Sequence, residues 1–289
     1  MRIVCGTDFS APGQQAATVA GLLARQTGGE LHLIHGLGPR RRWDFTAERT
    51  ELEKEGRRLQ EQGVAVTGIN AVWGDPNVVM IEEATRWGAE LIVLGATGQR
   101  LADLTLLGSV ASRTARESPV PVLVVRDAAP FVAWLEKSAP LRVLTGFERG
   151  ESTNHALRWA ASLRRLGTVN LTVAQLVTPG LENRRAEASG PGTGIELHPS
   201  TRSQLLEELR LATAPAIGDI SATLTVKPAI GRTDIHLVQE AEGMHADLVV
   251  VGSHQRKGFQ RWWHGSVSSG VVHGAPMSVA VVPYRPSES

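Results

Sequence analysis

The chain of 289 residues has one cysteine, Cys5, so no disulfide can close within a single copy. That usage fits a reducing compartment. No apolar run approaches the roughly 18–20 residues that span a bilayer. The first residues, MRIVCGTDFS, carry no signal-peptide layout. The expectation is a cytoplasmic protein that does not enter a membrane. Neither charge sign dominates, with 30 Lys and Arg against 29 Asp and Glu, so no general field draws the chain to nucleic acid or to an anionic surface. Several chemical signatures are missing as well. Without a Gly-x4-Gly-Lys-Ser/Thr loop it is not a P-loop ATPase, and without a Gly-x-Ser-x-Gly elbow it shows no hydrolase nucleophile turn. Nine scattered histidines without His-Glu-x-x-His, and no cysteine pair, give a structural zinc little support. The glycines at 190, 192 and 194 do not complete a dinucleotide fingerprint and read as loop.

What is present is a glycine pattern written twice. Leu91 to Leu94 is a short apolar run ending on Gly95, which predicts a buried strand. A loop punctuated by Gly98 follows and ends at Gly108 and Ser109, where a helix of small residues begins. The amides of Gly108, Ser109 and Val110 then lie at a helix N-terminus, whose unpaired N–H groups and positive dipole end attract an anion such as a phosphate. Ser109 also reads as a helix cap. Later in the chain, Gly252, Gly265, Ser266 and Val267 stand 157 positions after Gly95, Gly108, Ser109 and Val110 (252 − 95 = 157). One repeat at that period means two domains of one kind rather than a solenoid.

The rest of each unit alternates strand and helix, the pattern of a parallel sheet covered on both faces. The first unit reads as strand Arg2–Gly6, a helix opened by Ser10 and Pro12, strand Leu31–His35, a charged helix Glu48–Gln62 and strand Val64–Val72. A helix capped by Asp75 with Pro76 at its first position, the glycine loop, a helix Ser109–Glu117 and strand Val120–Val125 complete it. The segment Asp127–Ala139 reads as linker. The second unit restarts at Arg142 with an offset of 140, so 17 residues (157 − 140) are gained before Gly231. The Gly- and Pro-rich stretch Thr178–Pro199 is the expected place, read as a surface loop. The domain boundaries are 1–127 and 140–285.

Asp8 after the first strand, Gly74-Asp75-Pro76, and Gly95-x2-Gly98-x9-Gly108-Ser109 after the fourth strand closely resemble the universal stress protein family, and the whole chain resembles a tandem pair. The resemblance implies two doubly wound five-stranded parallel sheets of the adenine-nucleotide alpha-hydrolase-like type, in strand order 3-2-1-4-5. It implies ATP as the ligand, with any magnesium or manganese carried in by the triphosphate. Thr7 and Asp8 would lie near the adenosine end and the main chain at Gly36 near adenine. Gly95, Gly98, Gly108, Ser109 and Val110 would serve the phosphates, and Arg100 is a candidate phosphate partner. An open α/β sheet binds ligands where its winding reverses, which independently points between strands one and four. The family also implies self-association through fifth strands, here an internal pseudo-dimer of Val120–Val125 with Val279–Val282, and a possible further homodimer.

The second copy departs from the pattern. Glu148 stands at the Asp8 position and Gln255 at the Gly98 position. Gly252, Gly265, Ser266 and Val267 are kept, so they are second-site candidates, but the expectation is weak or absent nucleotide binding there. Trp262 and Trp263 form either loop core or an apolar patch. The leading functional expectation is an ATP-binding regulatory protein of stress response with slow or no hydrolysis. The alternatives are an ATP-using adenylating or phosphoryl-transfer enzyme and a nucleotide-free dimerisation scaffold.

Overall fold

The computed structural model describes residues 1–38, 45–98, 107–185, 196–218, 221–254 and 267–284. In the first half, β1 (Arg2–Gly6), β2 (Glu30–Gly36), β3 (Val66–Val72), β4 (Leu91–Gly95) and β5 (Val122–Val125) alternate with α1 (Ala11–Gln26), α2 (Thr46–Glu61), α3 (Pro76–Trp87) and α4 (Ser109–Glu117). The second half repeats the scheme with β6 (Leu141–Phe147), β7 (Val169–Val177), β8 (Ala222–Pro228), β9 (Leu248–His254) and β10 (Ser278–Tyr284). Its helices are α6 (Glu151–Ser162), α8 (Pro199–Ile217), α9 (Thr233–Gly243) and α10 (Val267–Gly274). Each half has the parallel order expected, and the two share an edge. The result is one ten-stranded sheet, β3-β2-β1-β4-β5-β10-β9-β6-β7-β8.

The shared edge follows from the residues that form it. In β5 all four residues of VLVV are buried, and Val122, Leu123 and Val124 lie antiparallel to Val281, Ala280 and Val279. Left open, so apolar an edge would present unpaired backbone groups to any other chain. Ser278 Oγ accepts a bond from Arg126 N (3.1 Å) just past the ladder. Central strands are buried on both faces, as in Ile3, Val4 and Cys5 of β1, because helices cover the sheet on two sides. Burial also raises the pKa of the Cys5 thiol, so Cys5 is an inert core residue.

Two stretches differ from the sequence expectation. The linker is not structureless: α5 (Ala129–Leu135) lies within it and buries Phe131, Trp134 and Leu135. Those three side chains share one helical face at spacings of three and one, and they join the core that includes Ala16, Ala20 and Leu23 of α1. The insertion after β7 likewise begins as a helix, α7 (Pro179–Arg185), whose first turn is anchored by Leu181 N and Glu182 N donating to Thr178 O (3.0 and 3.2 Å). Proline is well suited to a first helical turn, where its missing N–H is not needed. Residues 186–195 of that insertion lie outside the described residues.

His32 of β2 is a polar group built into this packing. Its ring stacks on Trp87 (centroids 3.5 Å apart, 11° between planes), and its Nδ1 is buried with no hydrogen-bond partner. Burial lowers its pKa below the ordinary histidine value, against the opposing pull of Glu83 and Glu30. The folded chain therefore binds this proton less readily than the unfolded chain, and the associated stability is present above about pH 6.5 and lost as pH falls below it. Urea midpoints measured from about pH 7.5 down to about pH 4.5 should fall less steeply for His32→Leu than for the parent chain. Identical pH slopes would show that His32 carries none of the acid sensitivity.

Candidate functional site

The first half reverses its winding at β1, which lies between β2 and β4. The segments leaving β1 and β4 meet there, and each is shaped by short contacts. Thr7 N continues the sheet by donating to Ile34 O (3.0 Å), and Thr7 Oγ1 accepts from Phe9 N (3.1 Å). Phe9 is held at φ +63°, a left-handed conformation that costs a bulky residue about 1–2 kcal/mol. Its ring lies 4.7 Å from that of His35, whose Nδ1 is 2.7 Å from Thr7 O and donates to it. This turn presents the Asp8 carboxylate. Oδ1 of Asp8 accepts from Ser10 N (3.1 Å) and from Ser10 Oγ, and Ser10 Oγ in turn accepts from Gly13 N (3.2 Å) to cap α1.

The other carboxylate oxygen faces the loop after β4. A Cβ placed on Gly98 would stand 2.6 Å from Asp8 Oδ2, closer than any side chain tolerates. Gly98 thus permits the present close approach of Asp8, which would have to shift to admit a side chain, and is not there for a left-handed backbone. A Cβ on Gly108 would lie 3.3 Å from Ala96 O and 3.8 Å from Gly98 N, so Gly108 is stacked beside Gly98. Asp8, Gly98, Gly108 and the first turn of α4 are contiguous.

The structure revises three details of the sequence reading. The Gly108 amide is already bonded to Ala96 O (2.7 Å), because the returning loop must be tied to the strand end before α4 can start. The amides ahead of the first intrahelical bond, Ser112 N to Gly108 O (3.0 Å), are those of Ser109, Val110 and Ala111. The N-cap position itself is Gly108, so Ser109 is the first helical residue and not the cap. Asp75 does occupy the N-cap of α3, but its side chain makes no capping bond. Both of its oxygens are taken by Arg113 of α4 (2.7 and 3.0 Å), since a guanidinium fork holds a carboxylate better than a neutral amide does. Asn77 Nδ2 to Glu117 Oε2 (3.1 Å) adds a second tie between the same helices.

Gly95 and Gly36 are accounted for by packing. A Cβ on Gly95 would come within 2.7 Å of the Pro12 carbonyl, and one on Gly36 within 2.7 Å of Pro76 Cα. Arg100 lies outside the described residues, as do Gly265, Ser266, Gln255, Trp262 and Trp263. Gly252 repeats the Gly95 contact, with its notional Cβ against the Ser152 carbonyl, and Val267 opens α10. The described residues contain no group of three or more His, Cys, Asp or Glu able to hold a metal, and no helix long and apolar enough to cross a membrane.

The second half lacks the Asp8 network member by member. At the offset of 140, Thr7, Asp8, Phe9, Ser10 and His35 become Phe147, Glu148, Arg149, Gly150 and Gln175. Arg149 turns away to Glu208 (2.6 Å), Gly150 has no side chain to cap α6, and Gln175 Oε1 is buried without a partner. The helix clamp is not kept, and its positions form a local pair instead. At the offset of 157, Asp75, Asn77 and Arg113 become Arg232, Asp234 and Gly270. Arg232 bonds Asp234 and holds its carboxyl below the usual carboxylate range, and Gly270 leaves the room that Asp234 fills.

The sequence profile of the universal stress protein family matches residues 1–126 and again residues 141–283. The chain belongs to that family. Universal stress proteins are a stress-response family, and this chain is a tandem form. A universal stress protein of Methanocaldococcus jannaschii is 31% identical over 139 residues, which is 43% of this chain and 81% of that protein. One from Mycobacterium bovis is 28% identical over 217 residues, 73% of this chain and 66% of that protein, just under two thirds of its length. A solved universal stress protein from Archaeoglobus fulgidus superposes with a TM-score of 0.70 at 17% identity, covering 98% of both chains. A functionally unknown protein of Pseudomonas aeruginosa does so at 0.69 and 19% identity, over 98% of this chain and 92% of its own. At these identities the structural likeness establishes the fold of the whole tandem unit.

The glycines of this universal stress protein separate into two kinds, and substitution should tell them apart. Gly95→Ala, whose new methyl meets rigid Pro12 backbone, is expected to cost about 1–3 kcal/mol in urea denaturation. Gly98→Ala meets only the end of the Asp8 side chain and should cost under about 1 kcal/mol. An equal loss at both positions would mean that Gly98 is a packing residue and not the wall of a site.

Proposed function

We propose that the first half binds ATP at the junction of the Asp8 turn and the Gly98–Gly108 segment, and that the protein is a nucleotide-dependent regulator in stress response. The observation that carries this reading is the 2.6 Å approach of Asp8 Oδ2 to the missing Gly98 side chain, beside a stacked Gly108. That arrangement is a cradle which one methyl group would fill. Asp8 is fixed by Ser10 so that it can accept from hydroxyls at the adenosine end. The main chain at Gly36 lies on the adenine side. Gly98 and Gly108 admit phosphates with no side chain in the way. The amides of Ser109 and Val110 and the positive end of the α4 dipole meet the phosphate charge. Magnesium or manganese would arrive with the triphosphate and balance it.

The second half is proposed to bind nucleotide weakly or not at all, since none of the Asp8, Ser10 and His35 bonds has a counterpart there. Regulation rather than turnover is the reading, and hydrolysis is expected to be slow or absent. Both fifth-strand edges are consumed within the chain. Any homodimer must therefore use another surface. Denaturing the purified protein should release close to one adenine nucleotide per chain, and Asp8→Ala should release little. Failure to release or take up any adenine nucleotide would overturn the reading, and rapid multiple turnover would favour an ATP-using enzyme instead.

A further inference from the structure

A cavity of about 840 Å³ opens at the N-terminal ends of β7 and β8, at the far end of the second half's strands from Gly252. It forms because β7 pairs with β6 from Val169 onward but with β8 only from Leu171 onward. Three cations line it, Lys137, Arg164 and Arg165, and among the described residues no carboxylate does. The side chains of Lys137 and Arg165 make no ion pair or hydrogen bond among the described residues. Arg164 gives one terminal nitrogen to Ser221 O, while its Nε is buried without a partner. Asn170, Ser221 and Thr223 complete the wall with neutral hydrogen-bonding groups.

Lys137 is the informative member. Helix α5 ends in a Schellman arrangement, with Lys137 N bonded to Trp134 O (3.0 Å) and Ser138 N to Ala133 O (2.9 Å). The residue at the turn has φ +60°, a position where glycine is favoured and a lysine carries a conformational cost. A long cationic side chain therefore stands at the cavity mouth where the backbone would rather have none.

We propose that this cavity is a second, separate ligand site, for a small organic phosphate ester. The Arg165 guanidinium can meet phosphate oxygens as a fork, Arg164 adds positive charge through its remaining terminal nitrogen, and the Lys137 ammonium adds a mobile point charge. The groove is open to solvent along one side, and its volume far exceeds what an isolated phosphate ion needs. The neutral donors and acceptors on Asn170, Ser221 and Thr223 suit a hydroxylated carbon skeleton. The site owes nothing to Asp8 or Gly98 and stands or falls apart from the ATP reading.

The test uses the full chain titrated by calorimetry with ribose 5-phosphate, inorganic phosphate and citrate. Ribose 5-phosphate should bind at least tenfold more tightly than either of the others. The double variant K137G/R165A should weaken that binding at least tenfold. Lys137→Gly is chosen because glycine suits the φ +60° position, so the melting temperature should hold or rise and lost binding cannot be ascribed to unfolding. Asp8→Ala should leave ribose 5-phosphate binding unchanged. Absence of binding, equal affinity for inorganic phosphate, tighter binding of citrate, or an affinity insensitive to K137G/R165A would each overturn the proposal.

Discussion

The structure turns on one steric condition: a carboxylate at the end of β1 can lie against the loop after β4 only while residue 98 has no side chain. Everything around Asp8 serves that approach. Ser10 ties one carboxylate oxygen and caps α1, Phe9 bends the chain through a conformation that bulky residues avoid, and His35 holds the Thr7 carbonyl from the neighbouring strand. On the far side, the bond from Gly108 to Ala96 brings α4 back to the strand end. A strained residue held by this many contacts is the usual mark of a site and not of a simple turn.

The second half shows what the fold needs when that condition is dropped. Glycines that let strands and helices approach are kept in register. Gly6 and Gly146 lie against Met80 and Leu237, and Gly95 and Gly252 against the starts of α1 and α6. The groups that hold the carboxylate are all replaced, and the positions of the α3–α4 clamp carry only a local arginine–aspartate pair at the start of α9. Architecture has been retained while the site chemistry has been released. Antiparallel pairing of β5 with β10 then joins the two halves into one sheet, so the second half still covers an edge that would otherwise invite aggregation.

Much of this was legible from the amino acids alone. The glycine spacing repeated at 157 gave the tandem organisation, and alternating apolar runs and caps placed most elements of the first half to within two residues. The misses have physical causes. Helix α5 is too short for periodicity to stand out, although Phe131, Trp134 and Leu135 do share one face. The Asp75–Arg113 pair spans 38 residues, so nothing local distinguishes it from an ordinary capping aspartate. His35 could be joined to Thr7 only once the register of β1 and β2 was known, with Gly6 opposite Ile34. The cation cluster at Lys137 and Arg164 is likewise a product of where β8 begins, which no pattern in the sequence announces.

The central claim is that two halves of one fold differ in a single capacity because only one keeps the Asp8–Gly98 contact. Amide hydrogen exchange of the intact chain with and without ATP reads both halves at once. The account predicts added protection in peptides covering Thr7–Ser10 and Gly108–Ala111, and none in those covering Phe147–Gly150 and Val267–Gly270. Equal protection in both halves, or none in either, would contradict it.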